Sequence, residues 1–479
     1  MPPVNDILAL PDIAALIEKR GRASVREWTR LAVADVRQRV SAGLTNGASS
    51  RGDLVALVVQ SVHGLANRDS FQKFGAVINA TGVILHTSLG RAPLSAAAVA
   101  AIAEAAAACN LEVDLDTGER RYRGYQLQSA WERLTGAEAA LVVNNNAAAT
   151  LLALDALCRG REVIISRGQL IEIGGSFRLP DIFSQSGAIL REVGTTNRTS
   201  LEDYERAIGP STGAILRVHP SNYEIVGFAD SPAIGELAPL AHRYGLVCID
   251  DIGSGCLVDT THYGLPAEPT FQQSLAAGAD LVLGSGDKLL GGPQCGILLG
   301  HAELVERLSG HPLARSFRID KLTLAALSAT LDAYLRGAAV QEIPTLALLA
   351  ASQNELLTRA DRIREAVLIL PLQQGAGGGS SPENCKLKNE NCKLQIEVAR
   401  DSAPVGGGSL PGAALTTAVL RLRHLHIPAE ELARRLRTGV PRVFGRIHEK
   451  ALLLDLRSVL PGDDERIAAA LQQLLLESL

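Results

Sequence analysis

Leu246-Val-Cys-Ile-Asp-Asp-Ile-Gly-Ser-Gly255 is the stretch on which the reading of the fold turns. An apolar run ends in two aspartates and a glycine turn, the pattern of a buried strand that stops at a functional loop. Outward from it the same design recurs in Ala140-Leu-Val-Val143, Glu162-Val-Ile-Ile-Ser166, Ala214-Ile-Leu-Arg-Val218 and Leu281-Val-Leu-Gly284. Helical spacing fills the gaps, as in Ala147 to Leu157 and Ser231 to Tyr244. Strands alternating with helices from about residue 75 to 340 predict a mostly parallel sheet covered by helices. Such sheets bind ligands outside the carboxyl ends of their strands, so the segments that follow the strand-like runs are where chemistry is expected.

Three of these segments carry it. Leu281-Val-Leu-Gly-Ser-Gly-Asp-Lys-Leu-Leu-Gly-Gly-Pro-Gln-Cys-Gly296 puts one lysine, Lys288, among small residues just past a strand. A lysine so placed can form a Schiff base with an aldehyde cofactor, and Ser285 can put its hydroxyl on a phosphate. Asp250 or Asp251 is placed to pair with a pyridine nitrogen, keeping it protonated so that the ring can accept electrons; helix capping by either aspartate is the plainer alternative. Val143-Asn-Asn-Asn-Ala-Ala-Ala149 leads from a strand into a helix start, where free N–H groups suit a phosphate. His219, in His219-Pro-Ser-Asn-Tyr223, joins the cofactor-binding candidates, although a histidine there can equally be structural. Arg91, Arg315 and Arg318 are candidates for an anion clamp, because guanidinium binds phosphate bidentately. Ser285-x-x-Lys288 also fits an acyl-serine pattern, but its companion Ser-Asp-Asn and Lys-Thr-Gly motifs do not occur, and no P-loop motif is present.

The flanks read differently. Residues 1–72 are expected to form a helical domain made basic by Arg20, Arg22, Arg26, Arg30, Arg37 and Arg39. Residues 73–335 form the large domain, and 336–479 a smaller α+β domain in which Ile343-Pro-Thr345 starts a long helix. A Gly/Ser-flanked insertion is expected near 376–400, with Cys385 and Cys392 seven residues apart. The 479 residues are 47% hydrophobic and carry a formal charge of −4, enough apolar mass for large cores and too little net charge for a uniformly basic nucleic-acid coat. Seven scattered cysteines without a CxxC pair or zinc-ligand spacing suggest reduced thiols and no metal site. With no signal-peptide pattern at the start, a cytoplasmic location is the expectation.

Taken together, the chain resembles the bacterial selenocysteine synthase family, the L-seryl-tRNA(Sec) selenium transferases. The likeness rests on Ile78-Asn-Ala-Thr-Gly-Val-Ile-Leu-His-Thr-Ser-Leu-Gly-Arg91, Val143 to Ala149, Val193-Gly-Thr-Thr-Asn-Arg198, Gly284 to Gln294, Gly406-Gly-Gly-Ser-Leu-Pro411 and Gly445-Arg-Ile447, in that order. It implies an aspartate-aminotransferase-like, fold type I large domain that binds pyridoxal 5′-phosphate. Lys288 matches the family's Schiff-base lysine and Asp251 its ring-nitrogen aspartate, with Asp250 a one-residue alternative. Asn145, Asn146 and Ser285 fall at expected phosphate contacts. Arg91, Arg315 and Arg318 match arginines proposed to hold the phosphate of selenophosphate. The resemblance also implies seryl-tRNA(Sec) as substrate, a tRNA-gripping N-terminal domain, and a homodecameric ring of dimers with active sites at subunit interfaces. The rival readings are a pyridoxal-phosphate lyase acting on a small amino acid or amino sugar without tRNA, and a tRNA-binding assembly protein with a dead site.

Overall fold

The computed structural model describes residues 2–41, 50–68, 74–173, 177–368 and 394–476. They fall into two compact units, Met1–Ala76 and Val77–Leu479.

The first unit is helical: α1 (Val4–Leu8), α2 (Pro11–Arg20), α3 (Arg22–Ser41) and α4 (Arg51–Arg68). The periodic run from Asp6 to Ile17 breaks in two because Pro11 has no N–H to continue a helix and instead starts the next one. Along α3, Val25, Trp28, Thr29, Ala32, Val33 and Val36 recur at helical spacing and are buried. They pack in one core with Ile7, Ile13, Val58 and Val62. That packing leaves Arg22, Arg26, Arg30, Arg37 and Arg39 on the exposed side of α3.

The second unit is built on seven strands: β1 (Ala139–Val143), β2 (Glu162–Ser166), β3 (Ile189–Val193), β4 (Thr212–Val218), β5 (Val247–Gly253), β6 (Leu281–Ser285) and β7 (Gly296–Gly300). Their order is β1-β7-β6-β5-β4-β2-β3. All neighbours run parallel except β7, which is antiparallel to both β1 and β6. Five strands were legible in the sequence. β3 and β7 were not: β3 reads Ile-Leu-Arg-Glu-Val with mostly exposed residues at the sheet edge, and β7 begins and ends in glycine.

Apolar residues cover both faces of this sheet. One face packs with Trp131, Tyr204, Leu237 and Phe271, the other with Leu152, Phe183, Leu216 and Leu298. The helix α5 (Asn146–Cys158) belongs to the second face and is buried for most of its length. The register sets Val218 opposite Asp251, and Ser285 opposite Gly296, which in turn faces Val143. The carboxyl ends of β1, β4, β5 and β6 therefore lie side by side.

A second, antiparallel sheet follows: β8 (Leu394–Pro404), β9 (Ala414–His424), β10 (Arg446–His448) and β11 (Ala451–Asp455), in the order β8-β9-β11-β10. The long helix expected from Ile343 is two helices, α6 (Pro344–Ala350) and α7 (Gln353–Leu368). Ser352 separates them by offering its side-chain oxygen to the Glu355 N–H, a new helix start. Together with α8 (Asp464–Leu476), α7 packs Leu356, Ala360, Ile363 and Leu471 against Leu420 and Leu454 of the sheet. The insertion expected near 376–400 needs a correction at its end: Leu394 to Arg400 are strand, paired residue by residue with His424 to Ala418. Its remainder, with Cys385 and Cys392, lies outside the described residues.

Candidate active site

At the carboxyl edge of the large sheet is a cavity of about 300 Å³ lined by Arg91, Asn146, His219, Asp251, Ser285 and Lys288, among others. Each side chain arrives by a different route. Asn146 opens α5, directly after β1. His219 follows β4, Asp251 lies in β5, and Ser285 ends β6 with Lys288 three residues beyond.

Lys288 is buried, with 3% of its surface exposed. Burial pushes its ammonium below the usual value, the Arg91 guanidinium adds to this, and the Asp251, Asp287 and Glu268 carboxylates oppose it. The result favours a free amine, the nucleophilic form. The backbone is shaped to leave that amine room. A Cβ on Gly408 would stand 2.7 Å from Lys288 Nζ, and Gly408 has φ +89, so no side chain fits there. Gly253, at φ +64, approaches the same nitrogen to 3.9 Å as measured from its virtual Cβ.

The two aspartates divide by strand alternation. Asp251 turns into the cavity. Asn146 Nδ2 donates to its Oδ1 at 2.9 Å, and the Gly253 N–H donates to the same oxygen at 3.0 Å. Thr150 Oγ1 lies 3.2 Å from Oδ2 and 2.9 Å from the Asn146 carbonyl, so one hydroxyl proton serves both acceptors. Burial raises the Asp251 carboxyl above the usual carboxylate range, while these donors and Lys288 pull it back. Asp250 points to the opposite face and is paired at 2.8 Å with Arg217. Thr150 was not singled out from the sequence. Its signal is spacing: Asn146 and Thr150 are one helical turn apart and so share a face.

The asparagines also divide. Asn145 Oδ1 accepts the Ala148 N–H and caps α5, whereas Asn146 serves Asp251. Asn145, Asn146 and Ala147 line the cavity, so the N-terminus of α5 opens into it. Arg91 Nη1 reaches Asp287 Oδ2 at 3.0 Å. Arg91 also holds a left-handed backbone at φ 56, as does Leu410 at φ 51. For non-glycine residues this costs about 1–3 kcal/mol, a strain that gathers at functional sites. Arg315 and Arg318 are elsewhere. They line a separate cavity with Glu112, and Arg318 Nη1 lies 3.4 Å from a Glu112 oxygen. Within one chain the three arginines of the expected clamp do not meet.

This arrangement fits a pyridoxal phosphate: a buried amine for the aldehyde, a carboxylate held by three donors for the ring nitrogen, and an open helix N-terminus for the phosphate. Two lining residues, Asn146 and His219, each carry a buried polar atom (Oδ1 and Nε2) with no hydrogen-bond partner among the described residues, as a site built around a polar ligand would.

The model of the SelA family, L-seryl-tRNA selenium transferase, matches residues 77–460. The chain belongs to this family. Relatives named L-seryl-tRNA(Sec) selenium transferase share its length as well as its sequence. That of Moorella thermoacetica is 45% identical over 477 residues, covering 99% of this chain and 96% of the relative. That of Carboxydothermus hydrogenoformans is 42% identical over 467 residues, covering 96% and 94%. Among solved structures, a D-glucosaminate-6-phosphate ammonia-lyase superposes with a TM-score of 0.57 at 21% identity, covering 85% of this chain and 98% of that one. At that identity it shows the fold alone. The family membership and the fold class expected from the sequence are both borne out: a large α/β unit on a mostly parallel sheet is followed by a smaller antiparallel sheet covered by helices.

Proposed function

We propose that this chain is a pyridoxal-phosphate-dependent L-seryl-tRNA(Sec) selenium transferase. In the net reaction L-seryl-tRNA(Sec) and selenophosphate become L-selenocysteinyl-tRNA(Sec) and phosphate. The observation that carries the reading is the meeting of Lys288 and Asp251 in one buried cavity, in a chain whose relatives bear that name over nearly their whole length.

Bound pyridoxal phosphate supplies an electron sink for the pair left at Cα when its proton departs. Lys288 would hold the cofactor's aldehyde and, as a free amine, would accept the Cα proton of the seryl group. Asp251, fixed by Asn146, Thr150 and Gly253, holds positive charge at the ring nitrogen. Asn145, Asn146 and Ser285 would hold the cofactor phosphate, and His219 would line the pocket for the rest of the cofactor. The β-hydroxyl leaves as water, selenium bonds to Cβ, and the Se–P bond breaks with one water taken up at phosphorus to give phosphate, so the net reaction balances. The walls of the cavity keep bulk water from competing for that carbon.

Arg91 contributes to the selenophosphate site. Arg315 and Arg318 complete it from a neighbouring copy, in keeping with a homodecamer whose sites lie at subunit interfaces. The basic face of α3 supports the N-terminal unit as the tRNA grip. Among the described residues no helix is long and apolar enough to cross a membrane, which accords with a cytoplasmic enzyme of selenocysteine and protein biosynthesis. The test is direct: purified protein, pyridoxal phosphate, seryl-tRNA(Sec) and radiolabelled selenophosphate. Label in the aminoacyl group supports the reading. Turnover of a free amino acid or amino sugar, with no shift of seryl-tRNA(Sec) on a gel, would favour the lyase instead.

A further inference from the structure

The Lys288 cavity, at about 300 Å³, has room for a cofactor and an amino-acid side chain, not for the end of an RNA. Yet the seryl group proposed above arrives as an ester on a terminal ribose. Three bonds separate its Cα from the ribose ring, about 4 Å of chain. Wherever serine reacts, the ribose must therefore occupy the space next door.

One such space is present. A second cavity of about 600 Å³ adjoins the first at His219, which lines both. Its volume lies within the range of small-ligand sites. Its walls are the turn after β3, with Asn197 and Arg198, the segment after β4, with Tyr223, the Ala267-Glu268 pair, and the loop around Pro411.

Three features of this cavity match a ribonucleoside. Glu268 is a carboxylate with 2% of its side chain exposed, and its Oε1 has no hydrogen-bond partner among the described residues. It stands 3.4 Å from His219 Nε2, near enough to attract it but without hydrogen-bond geometry. A buried acceptor left open in this way costs about 1–3 kcal/mol until a donor arrives, and a ribose hydroxyl is a donor suited to a carboxylate. Tyr223 offers a fixed ring edge or face for a base, because its hydroxyl is tied to the Gly168 carbonyl. Arg198 is exposed, has no carboxylate within ion-pair reach among the described residues, and sits 5.0 Å over the Phe228 ring, ready for a phosphate.

We propose that this second cavity binds the 3′-terminal nucleoside of the aminoacylated RNA, with Glu268 accepting a hydrogen bond from the ribose hydroxyl beside the ester. The proposal rests on the functional reading above and adds the place and the contact.

The experiment compares two substrates on the holoenzyme: ordinary seryl-tRNA(Sec), and one whose terminal ribose lacks the 2′-hydroxyl, with serine on the 3′ oxygen. In the wild type the deoxy substrate raises KM roughly tenfold or more, the worth of one hydrogen bond to a charged group. Glu268→Ala raises KM for the ordinary substrate by a similar factor and shows no further penalty with the deoxy one. Glu268→Gln, which keeps one acceptor oxygen and the side-chain shape, falls between. In a separate readout that needs no turnover, tRNA ending in 8-azidoadenosine is photo-cross-linked to the protein. Label is expected on peptides containing Asn197, Tyr223 or Pro411. A deoxy penalty that survives unchanged in Glu268→Ala, or label confined to other peptides, would overturn this proposal while leaving the functional reading intact. A wild type that turns over neither substrate and takes no cross-link would overturn both.

Discussion

Lys288 and Asp251 are adjacent in space because two strand ends are adjacent in the sheet, and each is altered by the same burial. Lys288 is held below its usual value, so between its lowered folded-state value and the free-lysine value near 10.4 the unfolded chain binds a proton that the folded chain lacks. Stability then rises with pH across that window. For cofactor-free protein, the wild-type melting temperature minus that of Lys288→Met should climb through the window; a flat difference would refute the assignment. The two aspartates separate by a different pair of measurements. Asp251→Asn should keep the fold and lower kcat by about 10²–10³-fold, the scale of losing a preorganised charge. Asp250→Asn should instead destabilise by about 3 kcal/mol, because it leaves the half-buried Arg217 without its charged partner. Denaturant titration and kinetics on both variants check this. The sequence brought these residues into view and could not rank them. Alternation says that neighbours on a strand face opposite ways, but not which face holds Asn146 and Thr150.

The helix α5 links the cap, the phosphate end and the aspartate. Its first turn carries Asn145 as cap and Asn146 as the donor to Asp251, and Thr150 follows one turn later. Asn145→Ala should lower stability by about 1 kcal/mol and weaken cofactor binding, because the same turn orients the N–H groups that open into the cavity. Thermal melting with and without pyridoxal phosphate checks this: a smaller ligand-induced rise than in the wild type is expected, and an equal rise would contradict it. Elements with contiguous β-branched residues, such as Glu162–Ser166, were legible because they are buried on both faces. The edge strand Ile189–Val193 was not, because Arg191 and Glu192 interrupt its apolar run and Ile189 is itself exposed. Gly296–Gly300 was hidden inside a glycine-rich turn motif, and its direction follows from pairing alone. The break between α6 and α7 was missed because Ser352 caps the second helix where the apolar rhythm continues.

In the proposed function, chemistry and the grip on tRNA fall to different units, and a third contribution to a neighbouring copy. If α3 grips the tRNA, replacing Arg26, Arg30 and Arg37 together by alanine should weaken seryl-tRNA(Sec) binding and flatten its salt dependence by about two to three in log–log slope. The absorbance of bound cofactor should be unchanged. Equal tRNA affinity would remove α3 from the interface. The separation of Arg91 from Arg315 and Arg318 could not be read from sequence, since motif order carries no distance. The central claim is that the whole protein holds pyridoxal phosphate on Lys288. Reducing the intact holoenzyme with borohydride, digesting it and mapping the pyridoxyl-modified peptide tests this most directly. The peptide containing Gly284 to Gln294 should carry the label on Lys288; label on another lysine, or on none, would contradict the account.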